Sequence, residues 1–243
     1  MMAMFCSKIC IVHNLVRCLN GVVLTKRPIC MRSTVHKTFP GFARNQFRRM
    51  SARGDDFSQR LIWVDLEMTG LNPEKDKIME AAVVITDKDL NIVAQSNDLI
   101  LNVNEEEINN MNDWCKKTHG QSGLSTECKL SGLLPEDADS ILTKFVQEHT
   151  PPGICPLAGN SVGFDRMFIM KYFPKFSSHL HYRTIDVSTV KELIRRWNPV
   201  CSANTPQKKL THRALDDILE SIDELRFYKN NAFKVASSNS STS

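Results

Sequence analysis

No run of this 243-residue chain stays apolar for the roughly 18–20 residues a bilayer requires, so no membrane span is expected. Neither a P-loop nor a dinucleotide-binding glycine fingerprint occurs, and no organic cofactor is expected. The 8 cysteines include no C-x-x-C pair, which argues against a zinc ribbon and a thioredoxin-like redox site. Cys115, Cys128, Cys155 and Cys201 are scattered, as small apolar fillers are, and are expected to be free thiols. There is no internal repeat. With 42% hydrophobic and 24% charged residues, the composition excludes collagen and wholesale disorder and suits a packed core.

One absence divides the chain. Residues 1–54 contain no Asp or Glu but ten Lys or Arg, leaving 21 basic and 27 acidic residues beyond them, a balance of −6. A basic, acid-free leader mixed with Ser, Thr and apolar residues predicts a mitochondrial transit peptide over 1–54. Such a segment can form a transient amphipathic helix whose cationic face is drawn by a negative-inside potential. Charges that recur from Arg17 to Arg53 fit a secretory signal less well. The competing reading is a basic disordered arm for nucleic acid or lipid. Arg49-Met50-Ser51 suits a cut after Met50, and Met50 could equally start an untargeted form. The folded domain is expected over 55–234, with a frayed Ser/Asn-rich tail at 235–243.

Residues 61–66 (LIWVDL) form an apolar, β-prone run, 78–86 a second and 91–103 a third, together an antiparallel meander. Gly70 and Pro73 break the chain after the first run. Helical texture follows at 105–110, 113–118 and 135–148. Short strands at 156–160 and 181–187 flank a helix at 165–173. Ser188 or Thr189 caps a helix to Trp197, with Thr189 and Glu192 as a capping box. A polar loop at 198–210 leads to the longest helix, 212–230. Three strands, then helices alternating with strands, predict an α/β domain with a mixed central sheet and helices on both faces.

Asp65 and Glu67 lie two apart on the most apolar strand and so share a face. Two carboxylates in low dielectric are unfavourable unless a cation neutralises them or one is protonated. The alternative is a strand that stops at Val64 and leaves both acids solvated. Asp165 opens a helix just after a short apolar strand. His212 and Asp217 are five apart, an offset of roughly 140° on a helix. We therefore place His212 at or before the cap and Asp217 one turn in, with Asp216 a solvated charge. Oxygen ligands without zinc-type Cys/His spacing favour Mg²⁺ or Mn²⁺.

Four segments in register carry a likeness: Asp65-Leu66-Glu67-Met68-Thr69-Gly70-Leu71, Gly159-Asn160-Ser161 running to Asp165, His181-Tyr182-Arg183 followed by Asp186-Val187-Ser188, and His212-Arg213-Ala214-Leu215-Asp216-Asp217. With Trp63-Val64 and Asn112-Asp113-Trp114, they resemble the oligoribonuclease family over nearly all of 60–234. That family belongs to the DEDDh 3′→5′ exonucleases on an RNase H-like fold. The resemblance implies a phosphodiesterase in which Asp65, Glu67, Asp165 and Asp217 hold two Mg²⁺ or Mn²⁺ ions, and His212 takes a proton from the attacking water. It further implies that Leu71 wedges between two bases and Trp114 stacks on one. Ser161, Arg183 and Ser188 would bind the 5′ phosphate of a very short RNA, and Tyr182 would be contributed across a homodimer interface. His119 would lie near the substrate's 3′ end. Phe164 stands where the family usually has a polar residue. His179 and His181 form an H-x-H to which we assign no role.

The leading expectation is a mitochondrial exoribonuclease that degrades oligoribonucleotides, especially dinucleotides, to mononucleotides. A domain at −6 has little charge to spare for the basic track of a long-chain binder. Two competitors are a DEDDh exonuclease acting on longer RNA or DNA, and a catalytically inactive nucleic-acid-binding module on the same fold.

Overall fold

The computed structural model describes residues 56–209 and 212–233. The expected transit peptide and the tail at 235–243 lie outside the described residues.

The two most apolar runs pair first. Strand β1 (Leu61–Met68) lies antiparallel to β2 (Ile78–Thr86), in register from Leu61 opposite Thr86 to Glu67 opposite Glu80. β2 is buried at every position, as its unbroken apolar run requires of a strand covered on both faces. β1 does not stop at Val64. Leu66 and Met68 are buried beyond it, and at about 1.5–3 kcal/mol per large apolar side chain their burial offsets the cost of keeping two acids in the strand.

The single strand expected over 91–103 is two strands, β3 (Ile92–Gln95) and β4 (Leu99–Ile100), each antiparallel to β2. Ser96 causes the split. Its backbone N–H donates to the Val83 carbonyl at 2.8 Å, while its Oγ accepts the Val83 N–H at 2.9 Å. The side chain thereby replaces a backbone acceptor and releases the chain before Leu99. Helices α1 (Glu105–Asn109), α2 (Asp113–Gln121) and α3 (Leu124–Leu130) then cluster with Met79 through Ile108, Cys115, Leu124 and Cys128, joined by Val103 and Met111 from the connecting segments. The third of these was not expected from sequence.

Helix α4 (Pro135–His149) leads to β5 (Leu157–Gly159), parallel to β1. Gly159 is required there, because a Cβ would sit 2.8 Å from the Val64 carbonyl oxygen. After α5 (Gly163–Tyr172) and the unanticipated α6 (Pro174–His179), β6 (Thr184–Asp186) adds parallel to β5. The sheet order is β3-β2-β1-β5-β6, with β4 also on β2. Helix α7 (Val187–Trp197) follows at once. Its cap is Asp186, which accepts the Ser188 N–H, so Ser188 and Thr189 lie inside the first turn and are not the cap expected of them. The polar loop contains a short helix, α8 (Pro199–Ala203), capped by Asn198. The last helix, α9, runs Ala214–Asn231.

Period-two alternation sends β1 side chains to two cores. Ile62, Val64 and Leu66 meet Leu142, Val146, Phe168 and Phe176 on the side of α4, α5 and α6. Trp63, Ala82 and Val84 meet Ile194, Ala214, Ile218 and Ile222 on the side of α7 and α9. Helices thus cover both faces, as expected. Cys115, Cys128, Cys155 and Cys201 are free and buried. Among the described residues, no helix is long and apolar enough to cross a membrane.

Candidate active site

Asp65 and Glu67 share the β1 face of Trp63, the one that looks toward α9, and are only 9% and 12% exposed. The third acid arrives through topology. β5 pairs with β1 at Ile62 and Trp63 and then turns away, so among the described residues the Leu66 N–H has no strand partner on that side. Asp165, fully buried in the first turn of α5, accepts that N–H at 3.0 Å. Its carboxylate is thereby held against the residue between Asp65 and Glu67.

α9 brings the rest. His212 precedes its N-cap, Arg213, in a left-handed conformation (φ 52°) that His tolerates better than most residues. This is the placement expected from the His212–Asp217 spacing. The ring swings inward, and ligand atoms of Glu67, His212 and Asp217 lie within 4.8 Å of one another. Burial pushes the His212 pKa below its ordinary value, while the charges of Asp65 and Glu220 pull it back up. Asp216 is exposed, as expected.

Two residues that sequence reading left without a role fix this turn. Arg213 bonds the fully buried Glu80 at 3.1 Å and Glu127 at 3.0 Å, and Glu80 also accepts the Ala214 N–H at 3.2 Å. Glu80 stands opposite Glu67 in the β1–β2 register. Burial pushes its carboxyl up and Arg213 draws it back. The residue after His212 is therefore clamped to the strand neighbouring Glu67. No spacing rule in the sequence pairs residues 133 positions apart.

Trp114 is 43% exposed and meets His212 edge-on, with ring centroids 5.6 Å apart, and His119 at 6.4 Å. His119 is fully buried, with Nε2 3.0 Å from the Met68 carbonyl. A carbonyl only accepts, so Nε2 carries a proton; in the neutral ring Nδ1 then keeps a lone pair, 3.9 Å from Glu67 Oε2 and with no hydrogen-bond partner among the described residues. Burial lowers this histidine's pKa as well. Leu71 packs partly buried against the core from a loop that Asp76 braces by accepting the Asn72 N–H at 2.8 Å.

Ser161 and Ser188 come together at one end of the parallel strands. Their backbone N–H groups both donate to Asp186 Oδ1 at 2.9 Å, and their hydroxyls are 3.1 Å apart. Ser188 faces an open cleft lined also by Thr189, Glu192, Leu193 and Arg196. Arg183 is exposed, its guanidinium 5.3 Å from the ring centre of Tyr182, which is 71% exposed. The H-x-H histidines do not act together: His179 is buried against Thr150 Oγ1 at 2.8 Å, and His181 Nδ1 accepts the Arg183 N–H. Phe164 is half-buried.

Carboxylates thus converge on one end of β1, with a histidine before the last helix, in an acidic cluster on a mixed sheet. The exonuclease family model (RNase T) matches residues 62–225. Among solved structures, the zinc-bound complex of E. coli exonuclease I with single-stranded DNA superposes with a TM-score of 0.55 at 15% identity. That match covers 72% of this chain and 41% of the other, and it supports the RNase H-like exonuclease fold. Family model and fold together define a 3′→5′ exonuclease.

The sequence relatives narrow the class. The mitochondrial oligoribonuclease of Bos taurus is 52% identical over 202 residues, 80% of this chain and 85% of its own. That of Homo sapiens is 55% identical over 183 residues, 75% and 77% of the two chains. The chain belongs to the oligoribonuclease family.

Proposed function

We infer that this enzyme is an exoribonuclease that reduces very short oligoribonucleotides, dinucleotides above all, to nucleoside 5′-monophosphates. The observation that carries this reading is the meeting of Glu67, His212 and Asp217 ligand atoms within 4.8 Å, beside the buried Asp65 and Asp165. Crowded carboxylate oxygens with a single imidazole are a donor set that fits Mg²⁺ or Mn²⁺. In this reading Asp65, Glu67, Asp165 and Asp217 hold two such ions. When bound, the pair supplies the charge that activates water and stabilises a phosphodiester's transition state and leaving oxygen.

The chain's own groups do the rest. His212 takes the proton of the attacking water, and its burial favours the neutral, accepting ring. Trp114 stacks on one base and Leu71 wedges between two. The bare Nδ1 of His119 faces the substrate's 3′ end as an acceptor. Ser161, Ser188 and the Arg183 fork bind the 5′-terminal phosphate, for which paired hydroxyls and a guanidinium are suited donors. Tyr182, exposed on the single chain, reaches the pocket of a second copy in a homodimer. The acid-free leader and the mitochondrial relatives both support delivery of residues 55–234 to mitochondria by a transit peptide over 1–54. Initiation at Met50 gives a form for the cytoplasm or nucleus.

A pocket closed at both ends of a dinucleotide separates this reading from a DEDDh exonuclease acting on longer RNA or DNA. The test offers the full chain, with Mn²⁺, 5′-labelled RNAs of two, five and twenty nucleotides, alongside Asp165→Ala and His212→Ala. Fast dinucleotide cleavage, abolished by both substitutions and by EDTA, is expected. Equal rates on the twenty-mer would sink the closed pocket, and binding without cleavage of any substrate would point to an inactive module.

A further inference from the structure

Behind the two serines lies a polar chain that reaches α9. Ser161 Oγ donates to Ser188 Oγ at 3.1 Å, and Ser188 Oγ donates to Asn160 Oδ1 at 3.0 Å. The other end of the same amide, Asn160 Nδ2, donates to Ser221 Oγ at 2.6 Å. Ser221 spends its own hydroxyl proton on the Asp217 carbonyl at 2.6 Å, so toward Asn160 it can only accept. Glu224 Oε2 adds a second acceptor at 3.5 Å. Glu224 is itself 3% exposed and held by Lys191 at 3.0 Å and the Tyr228 hydroxyl at 2.9 Å. Two acceptors on one side leave the Asn160 amide a single orientation, with Nδ2 toward α9 and Oδ1 toward Ser188. An amide free to flip would present donors to Ser188 and scatter the hydroxyl rotamers.

We propose that Asn160 is a positioning residue for recognition of a 5′-terminal phosphate, setting the Ser161 and Ser188 hydroxyls through an amide orientation that Ser221 and Glu224 impose. The inference rests on the reading that these serines bind that phosphate. With both oxygens placed in advance, an arriving phosphate takes the Ser188 proton over from Asn160 Oδ1 and needs no heavy atom to move, which lowers the ordering cost of binding. Because Ser221 also bonds the Asp217 carbonyl, the phosphate pocket is built from the same turn of α9 that carries an acid of the catalytic centre.

The test compares kcat/KM of the full chain for a 5′-phosphorylated and a 5′-hydroxyl diribonucleotide, in wild type and in Ser188→Ala, Asn160→Ala and Ser221→Ala. Wild type should prefer the phosphorylated substrate, and Ser188→Ala should lose most of that preference. Asn160→Ala should reduce the preference about tenfold, the worth of one hydrogen bond to an ionised group. Ser221→Ala should reduce it in the same direction by less, and its minimal change of volume keeps the test decisive if Asn160→Ala fails to fold. A merely structural role would lower both substrates together and leave the ratio alone. An unchanged ratio in Asn160→Ala and Ser221→Ala, with Ser188→Ala defective, would overturn the inference while the phosphate reading stands. No preference in wild type, or a preference untouched in Ser188→Ala, would overturn both.

Discussion

The carboxylate of Asp165 accepts the backbone N–H of Leu66 across 99 residues of sequence, at 3.0 Å. One bond thereby seats an acid from the first turn of α5 between the two acids of β1. It also satisfies a strand N–H that β5 leaves unpaired where it departs after Gly159. The buried acid and the strand end it completes are one structural device.

Charge and hydrogen bonding at Asp165 can therefore be separated. Asp165→Asn keeps an acceptor for Leu66 and should melt within a few degrees of wild type, while nuclease activity falls by more than about a hundredfold if the charge holds a cation. Asp165→Leu should lose activity and also about 1–3 kcal/mol of stability through the orphaned N–H. Thermal melts beside rate measurements on both variants check this.

The Arg213 clamp should matter to stability and to the placement of His212. Arg213→Met strands the fully buried Glu80 carboxylate and should cost about 3 kcal/mol at neutral pH. Burial already raises the Glu80 pKa, so without its partner the carboxyl binds a proton more tightly in the folded than in the unfolded state. Stability of the variant should then fall as pH rises above the unfolded value of 4.5, and adding Glu80→Gln should recover part of it. Urea titrations of the two variants across that range give the slope directly.

His179 gives the opposite pH dependence. Burial lowers its pKa to about 4, although Thr150 draws it back. The unfolded chain, near 6.5, therefore binds the proton that the folded chain refuses. Its contribution is complete above pH 6.5 and is lost as pH falls toward 4, by a few kcal/mol in all. His179→Asn should flatten stability over that interval. An unchanged slope in denaturant midpoints would show that another group dominates.

Trp114 is 43% exposed and contributes little to the core, so Trp114→Ala should hardly move the melting temperature. If it stacks on a substrate base, kcat/KM on a dinucleotide should fall by roughly ten- to a hundredfold, and Trp114→Phe should restore much of the loss. Steady-state kinetics on the three proteins decide it.

Sequence alone determined what depends on neighbours along the chain. Period-two alternation put Asp65 and Glu67 on one face of an apolar strand, and five-residue spacing put His212 ahead of the helix that carries Asp217. Four motifs in register determined the family. The division of charge at residue 54 predicted the leader.

Only the tertiary structure decided what depends on contacts between distant segments. Whether β1 persists past Val64 turned on pairing with β2 and on the burial of Leu66 and Met68. Local propensity could not show that Ser96 would take over a backbone partner and split a strand, or that Asp186 would outcompete Ser188 and Thr189 for the cap of α7. Glu80 with Arg213, and Asn160 with Ser221 and Glu224, are ordinary polar residues in one dimension. They acquire meaning because a polar group removed from water must find a partner wherever the fold has brought one, and sequence separation does not enter that requirement.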